Sequence, residues 1–412
     1  MEKRRVKVRS AAIAAAAFCI AGIAWASGAV EDDRGASRPP AVREDGPVAL
    51  SGIRIIDGTG GPPVEDGVIV YDGGRIVAVG PRDRVPVPPG CAVRSAPGAV
   101  ALPGFINAHV HGAYDEEHAA LWASVGITTV RDLSCDRWKL EESIAFRDRA
   151  RTDPRLCRIV SAGILITVPW GYMAKCGILV RSEADALTSV DRELALGVDF
   201  VKIILQEPSF PAFARLSPRV AARIAERAHG AGAGVTIHIG TSADLRDALA
   251  CGADDIAHIP SDPLPGELIS AMVARGVGLT PTLTNWAAAS AEEQRVVMDN
   301  FRRFVAAGGT VALGAEHIHT ARAAGPFVGF PSAELAMMRE AGMTPMGIIV
   351  AMTHDAARVC ALEREIGTLE AGKAADIVVL DADPLADPGA FSRIRMVIHG
   401  GTTIRDEGTT LP

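Results

Sequence analysis

The middle of the chain alternates between short apolar runs and amphipathic helical stretches. Eight runs, rich in β-branched and other apolar residues, are separated by helical patterns, which is the order expected of parallel βα units. The runs are Phe105–His109, Gly126–Arg131, Arg158–Ala162, Asp199–Ile204, Gly234–Ile239, Asp254–Ile259, Val277–Pro281 and Thr310–Ala315. The clearest helix begins at Ser217-Pro218 and ends at Gly230. Eight such units within residues 103–364 predict an α/β fold with a (β/α)8 TIM barrel.

The two ends of the chain follow a different pattern. Short β-branched runs there are separated by turns rich in Gly and Pro. These runs are Ser51–Ile56, Gly67–Tyr71, Arg75–Val79, Asp376–Leu380 and Arg395–His399. We predict that residues 48–102 and 365–412 form one small composite β-sandwich, with the barrel inserted between them.

The first residues have the pattern of an export signal. Five basic residues precede an apolar, alanine-rich stretch, and Ala24-Trp25-Ala26 provides a small-residue cleavage site. The apolar stretch is shorter than the roughly 20 residues that span a bilayer, so an uncleaved anchor is the weaker alternative. We therefore predict a signal peptide at 1–26, a flexible lead-in at 27–47, no stable membrane anchor after cleavage, and a periplasmic or secreted protein.

Composition and charge exclude several classes of protein. Hydrophobic residues make up 48% of the chain and charged residues 22%, which is typical of globular proteins. The balance of 42 basic and 49 acidic residues gives no electrostatic surface for nucleic acid. The cysteines beyond the signal contain no Cys-x-x-Cys, which argues against a structural zinc site or a redox dithiol. A disulfide between Cys157 and Cys176 stays open, as does assembly into a homo-oligomer.

Polar side chains end several of the predicted barrel strands, where the catalytic groups of such barrels lie. His109 and His111 end the first strand, and strand alternation places both on the same side. Lys202 lies within an apolar run, where an unpaired ammonium would be costly to bury. His238 and His258 end the fifth and sixth strands. Because neutral imidazoles suit zinc and similar divalent ions, we predict a metal site at this rim.

Four motifs in the chain resemble those of the amidohydrolase superfamily, and the likeness is strongest to its imidazolonepropionase-like and prolidase-like branches. The motifs are Leu102–His111, Gly126–Asp132, Val201–Ile203 and Gly367–Leu380. The likeness extends from Val48 to the end of the chain. It implies a metal-dependent hydrolase of carbon–nitrogen bonds that uses two divalent ions, zinc being expected.

The same resemblance implies a role for each strand-end residue. By position, His109 and His111 would hold the buried metal, and His238 and His258 would hold the more exposed one. Lys202, carboxylated on its amine, would bridge the two. The implied substrate is a small molecule or short peptide, namely a peptide, an N-acyl amino acid or a cyclic amide.

One position departs from the pattern of the superfamily. The eighth strand there ends in Gly-Thr-Asp, whose aspartate is a metal ligand and shuttles the proton, whereas this chain has Gly314-Ala315-Glu316. Three interpretations stay open: Glu316 is both ligand and catalytic acid–base after a local backbone shift, it is a base only, or the site binds metal with little turnover. We expect His317 and His319, which follow directly, to lie in a loop.

The sequence also contains candidate substrate contacts near the rim. They are Tyr114, Arg131, Asp132, Trp170 and Tyr172. An Arg–Asp pair can equally be structural, and rim aromatics can simply pack loops. Two alternatives to amide hydrolysis remain: a mononuclear deaminase or lactonase with unmodified Lys202, and a non-catalytic periplasmic binding protein in which Glu316 has ended turnover.

Overall fold

The computed structural model describes residues 41–206, 214–320 and 323–407. The predicted signal peptide (1–26) and most of the predicted lead-in (27–47) lie outside the described residues. Within the described ranges, no helix combines the length and the apolar character that crossing a membrane requires.

Five strands come first in the described part of the chain. They are β1 (Val48–Ile55), β2 (Val64–Asp72), β3 (Arg75–Pro81), β4 (Ala92–Ser95) and β5 (Val100–Pro103). β1 pairs antiparallel with β2, and β2 pairs antiparallel with β3. β1 also pairs in parallel with both β4 and β5, because its two halves have different neighbours on that side.

Nine strands of the central region form two parallel sheets, ordered β6-β7-β8 and β10-β9-β11-β12-β13-β14. These strands are β6 (Phe105–Val110), β7 (Ile127–Asp132), β8 (Arg158–Ser161), β9 (Ile166–Thr167), β10 (Ile178–Leu179), β11 (Phe200–Ile204), β12 (Gly234–His238), β13 (Asp255–Ala257) and β14 (Gly278–Thr280). Seven of the eight predicted barrel strands therefore have a counterpart. An antiparallel hairpin of β15 (His317–Thr320) and β16 (Ala323–Pro326) follows.

Ten α-helices are described along the chain, most of them between the parallel strands. They are α1 (Glu116–Ser124), α2 (Leu140–Ala150), α3 (Glu183–Ala195), α4 (Pro218–Gly230), α5 (Ser242–Cys251), α6 (Gly266–Arg275), α7 (Ala291–Ala306), α8 (Ser332–Glu340), α9 (Pro345–Met352) and α10 (His354–Val359). The predicted helix after Ser217 is α4, and it buries Ala221, Ile224, Ala225 and Ala228 on one face.

The eighth predicted strand, Thr310–Ala315, is not an assigned strand but has backbone partners on both sides. The Ala312 N–H donates to the Leu279 carbonyl at 2.9 Å, and the Ala108 N–H donates to the Leu313 carbonyl at 2.7 Å. A further backbone hydrogen bond links the two parallel sheets: the Asp199 N–H, directly before β11, donates to the carbonyl of Ser161, the last residue of β8, at 2.8 Å. The arrangement is TIM-barrel-like, although the assigned strands do not form one closed ladder.

The chain returns at its end to the sheet formed by its first strands. β17 (Ile377–Leu380), β18 (Ile394–His399) and β19 (Thr402–Asp406) extend that sheet in the order β19-β18-β17-β5-β1-β2-β3, with β4 beside β1. Both chain ends therefore contribute to one eight-stranded sheet. Its form as a sandwich and the boundaries of the two modules stay predictions.

The disulfide left open between Cys157 and Cys176 does not form. Cys157 is fully buried beside α1, where its N–H donates to the Ala119 carbonyl, whereas Cys176 is partly exposed in a rim loop. All six cysteines in the described ranges are free thiols.

Candidate active site

The six predicted metal ligands are His109, His111, Lys202, His238, His258 and Glu316. The four histidines lie at or directly after the C-terminal ends of parallel strands, Glu316 directly follows the segment 310–315, and Lys202 is the central residue of β11. Five of the six are buried, and His111 is partly exposed. The imidazole centroids are 5.5 Å apart for His109 and His111, 4.9 Å for His109 and His258, and 4.4 Å for His238 and His258. Residues separated by up to about 200 positions in sequence thus form one cluster.

The Glu316 carboxylate lies between histidines from different strands. Its Oε1 is 3.0 Å from His111 Nε2 and 3.7 Å from His109 Nε2, and its Oε2 is 3.7 Å from His258 Nδ1. One ligand atom each from His109, His111 and Glu316 lie within 4.8 Å of one another, a spacing that could hold one metal ion. Two imidazoles and a carboxylate are also a donor set that zinc accepts.

Burial keeps two histidines of the cluster, His109 and His238, neutral. It lowers the pKa of His109 well below the usual range, and the opposing charge of Glu316 only partly offsets this effect. Burial, together with the charges of His258 and Lys202, also lowers the pKa of His238 well below the usual range. Since only a neutral imidazole has a lone pair to share, both side chains are in the form that binds metal at neutral pH.

Lys202 is the least satisfied member of the cluster. Its ammonium nitrogen is buried and has no hydrogen-bond partner among the described residues. Burial lowers the pKa of Lys202 to about 7, although the charge of Glu316 acts in the opposite direction. A buried amine without a partner fits a site that is completed by another charged group.

Three hydrogen bonds orient the histidine rings, and sequence reasoning identified none of the partners as site residues. His238 Nε2 lies 2.6 Å from the Gln206 side-chain oxygen, His258 Nδ1 lies 2.6 Å from Thr282 Oγ1, and His111 Nδ1 lies 3.4 Å from the Ser134 carbonyl. A hydrogen bond at one ring nitrogen is usual for histidines that bind metal through the other, and in His111 that other nitrogen, Nε2, faces Glu316 Oε1 at 3.0 Å. Gln206 and Thr282 each lie two residues after the end of a parallel strand, and this position was the one feature of the sequence that could have identified them as site residues.

Arg131 does not lie where a substrate could contact it, so its prediction as a substrate contact is wrong. Its side chain has no exposed surface and donates to the Ala108 carbonyl, to Asp255 at 2.5 Å and to Thr236. It also does not pair with Asp132, because neighbouring strand residues face opposite sides. Asp132 instead accepts the N–H groups of Ala113 and Ser134, and burial raises its pKa to about 6.

The three candidate aromatic residues have different surroundings. Tyr172 stacks on His238, with ring centroids 4.8 Å apart and planes at 28°, and 39% of its surface is exposed. Trp170 is exposed in the same loop and has a φ of 65°. The Tyr114 hydroxyl is within 2.6 Å of Ser161 Oγ. Tyr172 is therefore the candidate substrate contact with a direct link to the histidine cluster.

The prediction that His317 and His319 lie in a loop is wrong, because their backbone forms a strand. Both residues lie in β15, which pairs with β16 in the hairpin that follows Glu316. The antiparallel partner supplies the backbone hydrogen bonds that make this segment a strand.

Comparison with known proteins agrees with the resemblance. Residues 100–404 match the Amidohydrolase family. An imidazolonepropionase of Symbiobacterium thermophilum is 24% identical over 406 residues, covering 84% of this chain and 91% of the relative. A 5-methylthioadenosine/S-adenosylhomocysteine deaminase of the same species is 24% identical over 388 residues, covering 82% and 85%. A prolidase-like structure from Bifidobacterium longum has a TM-score of 0.76 at 26% identity, covering 90% of this chain and 97% of that one.

The family match spans most of the chain, from the last strand before the parallel sheets to the final described strand. Its members use metal ions to hydrolyse carbon–nitrogen bonds, which favours an enzyme over the non-catalytic binding protein considered from the sequence. The histidine and glutamate cluster fits that chemistry. The chain therefore belongs to the amidohydrolase family of metal-dependent hydrolases.

Proposed function

We propose that this chain hydrolyses an amide-type carbon–nitrogen bond in a small peptide, an N-acyl amino acid or a cyclic amide, with two zinc ions at the strand-end cluster. The observation that carries the proposal is the buried Glu316 carboxylate, which approaches the imidazoles of His109, His111 and His258. A carboxylate among imidazoles provides both ligands for a divalent ion and a group that can move a proton.

Different parts of the cluster would hold the two ions. His109, His111 and Glu316 would hold one, and His238 and His258 would hold the other. Lys202 would lie between them as a carbamate, which forms when its neutral amine adds to carbon dioxide and loses a proton. The buried, unpartnered nitrogen of Lys202 supports this assignment, since a carbamate anion bound by cations is no longer an unpaired amine.

The chemistry divides between the ions and the protein. When bound, divalent ions at such a site lower the pKa of water towards about 7 and polarise a carbonyl group. Glu316 accepts the proton of the attacking water on its carboxylate and then donates it to the leaving nitrogen, so that it acts first as base and then as acid. Tyr172, stacked on His238 and partly exposed, would contact the substrate beside the cluster.

The test combines metal content with a panel of substrates. We expect elemental analysis to find two zinc ions per chain, and we expect turnover of a dipeptide, an N-acyl amino acid or a cyclic amide. Chelation should abolish the turnover, and added zinc should restore it. Turnover that persists after metal removal, or two bound ions with no turnover across the panel, would contradict the proposal.

A mononuclear deaminase is the second candidate, and two observations favour it. Within the described residues, the cluster with ligand spacing contains one carboxylate and two histidines, enough for one ion. One relative of similar coverage is named as a deaminase. This candidate predicts one zinc ion per chain, unmodified Lys202 and release of ammonia from an aminated heterocycle. The intact mass of the protein distinguishes the two, because carboxylation adds the mass of carbon dioxide.

We also propose that the protein is exported. The support is the basic start of the chain, the apolar stretch after it, and Ala24-Trp25-Ala26. Expression of the full chain in a bacterium, followed by fractionation, should give a periplasmic or secreted product that begins near Ser27. A product that retains Met1 to Ala26 in the cytoplasm would contradict export.

A further inference from the structure

A buried carboxylate fixes the turn that follows β14. Glu334, on α8, has no exposed surface and accepts the N–H groups of Leu283 at 2.7 Å and Thr284 at 2.8 Å, together with the Thr284 hydroxyl at 2.9 Å. The turn begins at Thr282, whose φ of 47° is unusual for a β-branched residue. Such a conformation persists only where the surroundings hold it in place.

The anchored turn contacts two of the candidate ligands. Thr282 Oγ1 lies 2.6 Å from His258 Nδ1, and the Asn285 side-chain nitrogen donates to Glu316 Oε2 at 2.8 Å. The Asn285 side-chain oxygen is buried and has no hydrogen-bond partner among the described residues. Of the two ends of this carboxamide, the nitrogen is therefore the one that contacts a candidate ligand.

Glu316 needs such a contact more than an aspartate would. The extra methylene adds one rotatable bond, so an unrestrained carboxylate samples more positions, and a misplacement of about 1 Å can cost roughly 100-fold in rate. A neutral amide donor can fix one oxygen of the carboxylate without introducing a competing charge. With Oε2 held by Asn285, Oε1 faces His109 and His111.

We propose that Asn285, held in place by Glu334, is a positioning residue that adapts this site to a glutamate where the family pattern has an aspartate. The proposal rests on the proposed function, because it assigns Glu316 a role in binding metal and moving protons. The hydrogen bond between Asn285 and Glu316 explains why a side chain longer than aspartate at position 316 occurs together with a carboxamide at position 285.

The experiment is a double-mutant cycle between Asn285→Ala and Glu316→Asp, read first as zinc affinity by competition with a chelator. Asn285→Ala should weaken zinc binding about 10- to 100-fold when residue 316 is glutamate. In the Glu316→Asp background the same change should cost less than about threefold, because the shorter side chain does not reach residue 285. In the glutamate background kcat should fall by a similar factor to zinc affinity, with KM nearly unchanged.

Two further variants separate positioning from a general effect on the fold. Asn285→Asp keeps the shape but replaces the donor with an acceptor, so it should lower zinc affinity at least as much as Asn285→Ala. Gln294→Ala is the matched control, because that carboxamide anchors the same loop through the Ala287 and Ala289 carbonyls without contacting Glu316. It should leave zinc affinity unchanged in both backgrounds.

Equal costs of Asn285→Ala in the two backgrounds, or unchanged zinc affinity with glutamate at 316, would overturn the inference while leaving the proposed function intact. A wild-type protein that binds no zinc would contradict both. If the wild type binds zinc but none of the panel substrates is turned over, the cycle in zinc affinity still decides the role of Asn285.

Discussion

At the scale of single residues, the chemistry converges on Glu316. It is nearly buried, and its two oxygens approach histidines from two different strands. Of the interpretations left open by the sequence, our proposal adopts the one in which Glu316 both binds metal and transfers protons. The extra methylene relative to aspartate is accommodated by a partner, Asn285, on the adjacent turn.

Glu316→Gln removes the charge and the proton acceptor while keeping the shape of the side chain. We expect kcat to fall about 10²- to 10⁴-fold, the range typical of losing a general acid–base group, with loss of zinc as well. Glu340→Gln makes the same change on an exposed residue of α8 and serves as the control. The measurement is steady-state kinetics on the best substrate of the panel. A kcat of Glu316→Gln equal to that of Glu340→Gln would contradict the role of Glu316 as the acid–base group.

The sequence predicted the side chains that form the cluster but not the residues that orient them. His109, Lys202 and His238 stand out because a polar residue in an apolar strand has few explanations. Thr282 and Asn285 lie in a turn, where no repeating pattern of apolar residues shows which way a side chain points. Their contacts depend on the left-handed backbone of Thr282 and on Glu334, which is about fifty positions away in sequence. Long-range contacts of this kind are not visible in one sequence.

At the scale of elements, carboxyl groups buried on the helices accept hydrogen bonds from the backbone that follows the parallel strands. Glu193 on α3 accepts the Ile164 N–H at 2.6 Å, and its other oxygen has no hydrogen-bond partner among the described residues. Burial raises the pKa of Glu193 to about 8, although the charge of Arg192 acts in the opposite direction. The folded state therefore binds a proton that the unfolded state has already released at neutral pH.

Glu193→Gln should change how stability depends on pH. Because the pKa of Glu193 is raised in the folded state, the wild type loses stability as pH rises from about 4.5 to about 8. The glutamine variant keeps an acceptor for the Ile164 N–H but cannot ionise, so its melting temperature should exceed that of the wild type at pH 9, and the difference should shrink towards pH 5. Thermal unfolding followed by circular dichroism at the two pH values provides the measurement. A constant difference between the two proteins would show that Glu193 does not titrate in this way.

The elements also show where patterns predict well and where they fail. Seven parallel strands and α4 could be read from the sequence, because buried strands and amphipathic helices have distinct spacings of apolar residues. The eighth segment has glycines at 308, 309 and 314 and makes one isolated bridge, between Val311 and Leu279, instead of a regular ladder. Arg131 was wrongly predicted to contact the substrate, because its buried position among the parallel strands depends on an ion pair with Asp255 of β13, which its own sequence neighbourhood does not show.

At the scale of the whole molecule, a partly buried ion pair joins the terminal sheet to the parallel strands. Asp376, directly before β17, accepts from Arg158 of β8 at 2.9 Å and from the Gly400 N–H at 2.8 Å. Burial alone would raise the pKa of Asp376, but the charges of Arg158 and His399 and the Gly400 hydrogen bond outweigh it and lower that pKa. The two regions are thus held together by charge as well as by apolar packing.

Asp376→Asn should destabilise the protein in a pH-dependent way. A depressed carboxyl pKa contributes stability that is fully present above the unfolded value, about 3.9, and is lost as pH falls through the folded value. We expect a loss of about 1–3 kcal/mol at pH 7, because the partly exposed Arg158 guanidinium loses its charged hydrogen-bond partner, and a smaller loss near pH 3. Asp387→Asn, in an exposed pair with Arg393, is the control and should have little effect. Denaturant unfolding at pH 7 would contradict the account if the two variants behaved alike.

The account depends on six side chains, brought together from distant parts of the chain, holding a pair of metal ions. The most direct test is an anomalous difference map at the zinc absorption edge from crystals of the zinc-loaded protein. We predict two peaks, one bordered by His109, His111 and Glu316 and one bordered by His238 and His258, with additional density on the Lys202 nitrogen between them. A single peak with unmodified Lys202, or zinc bound away from these residues, would contradict the central claim.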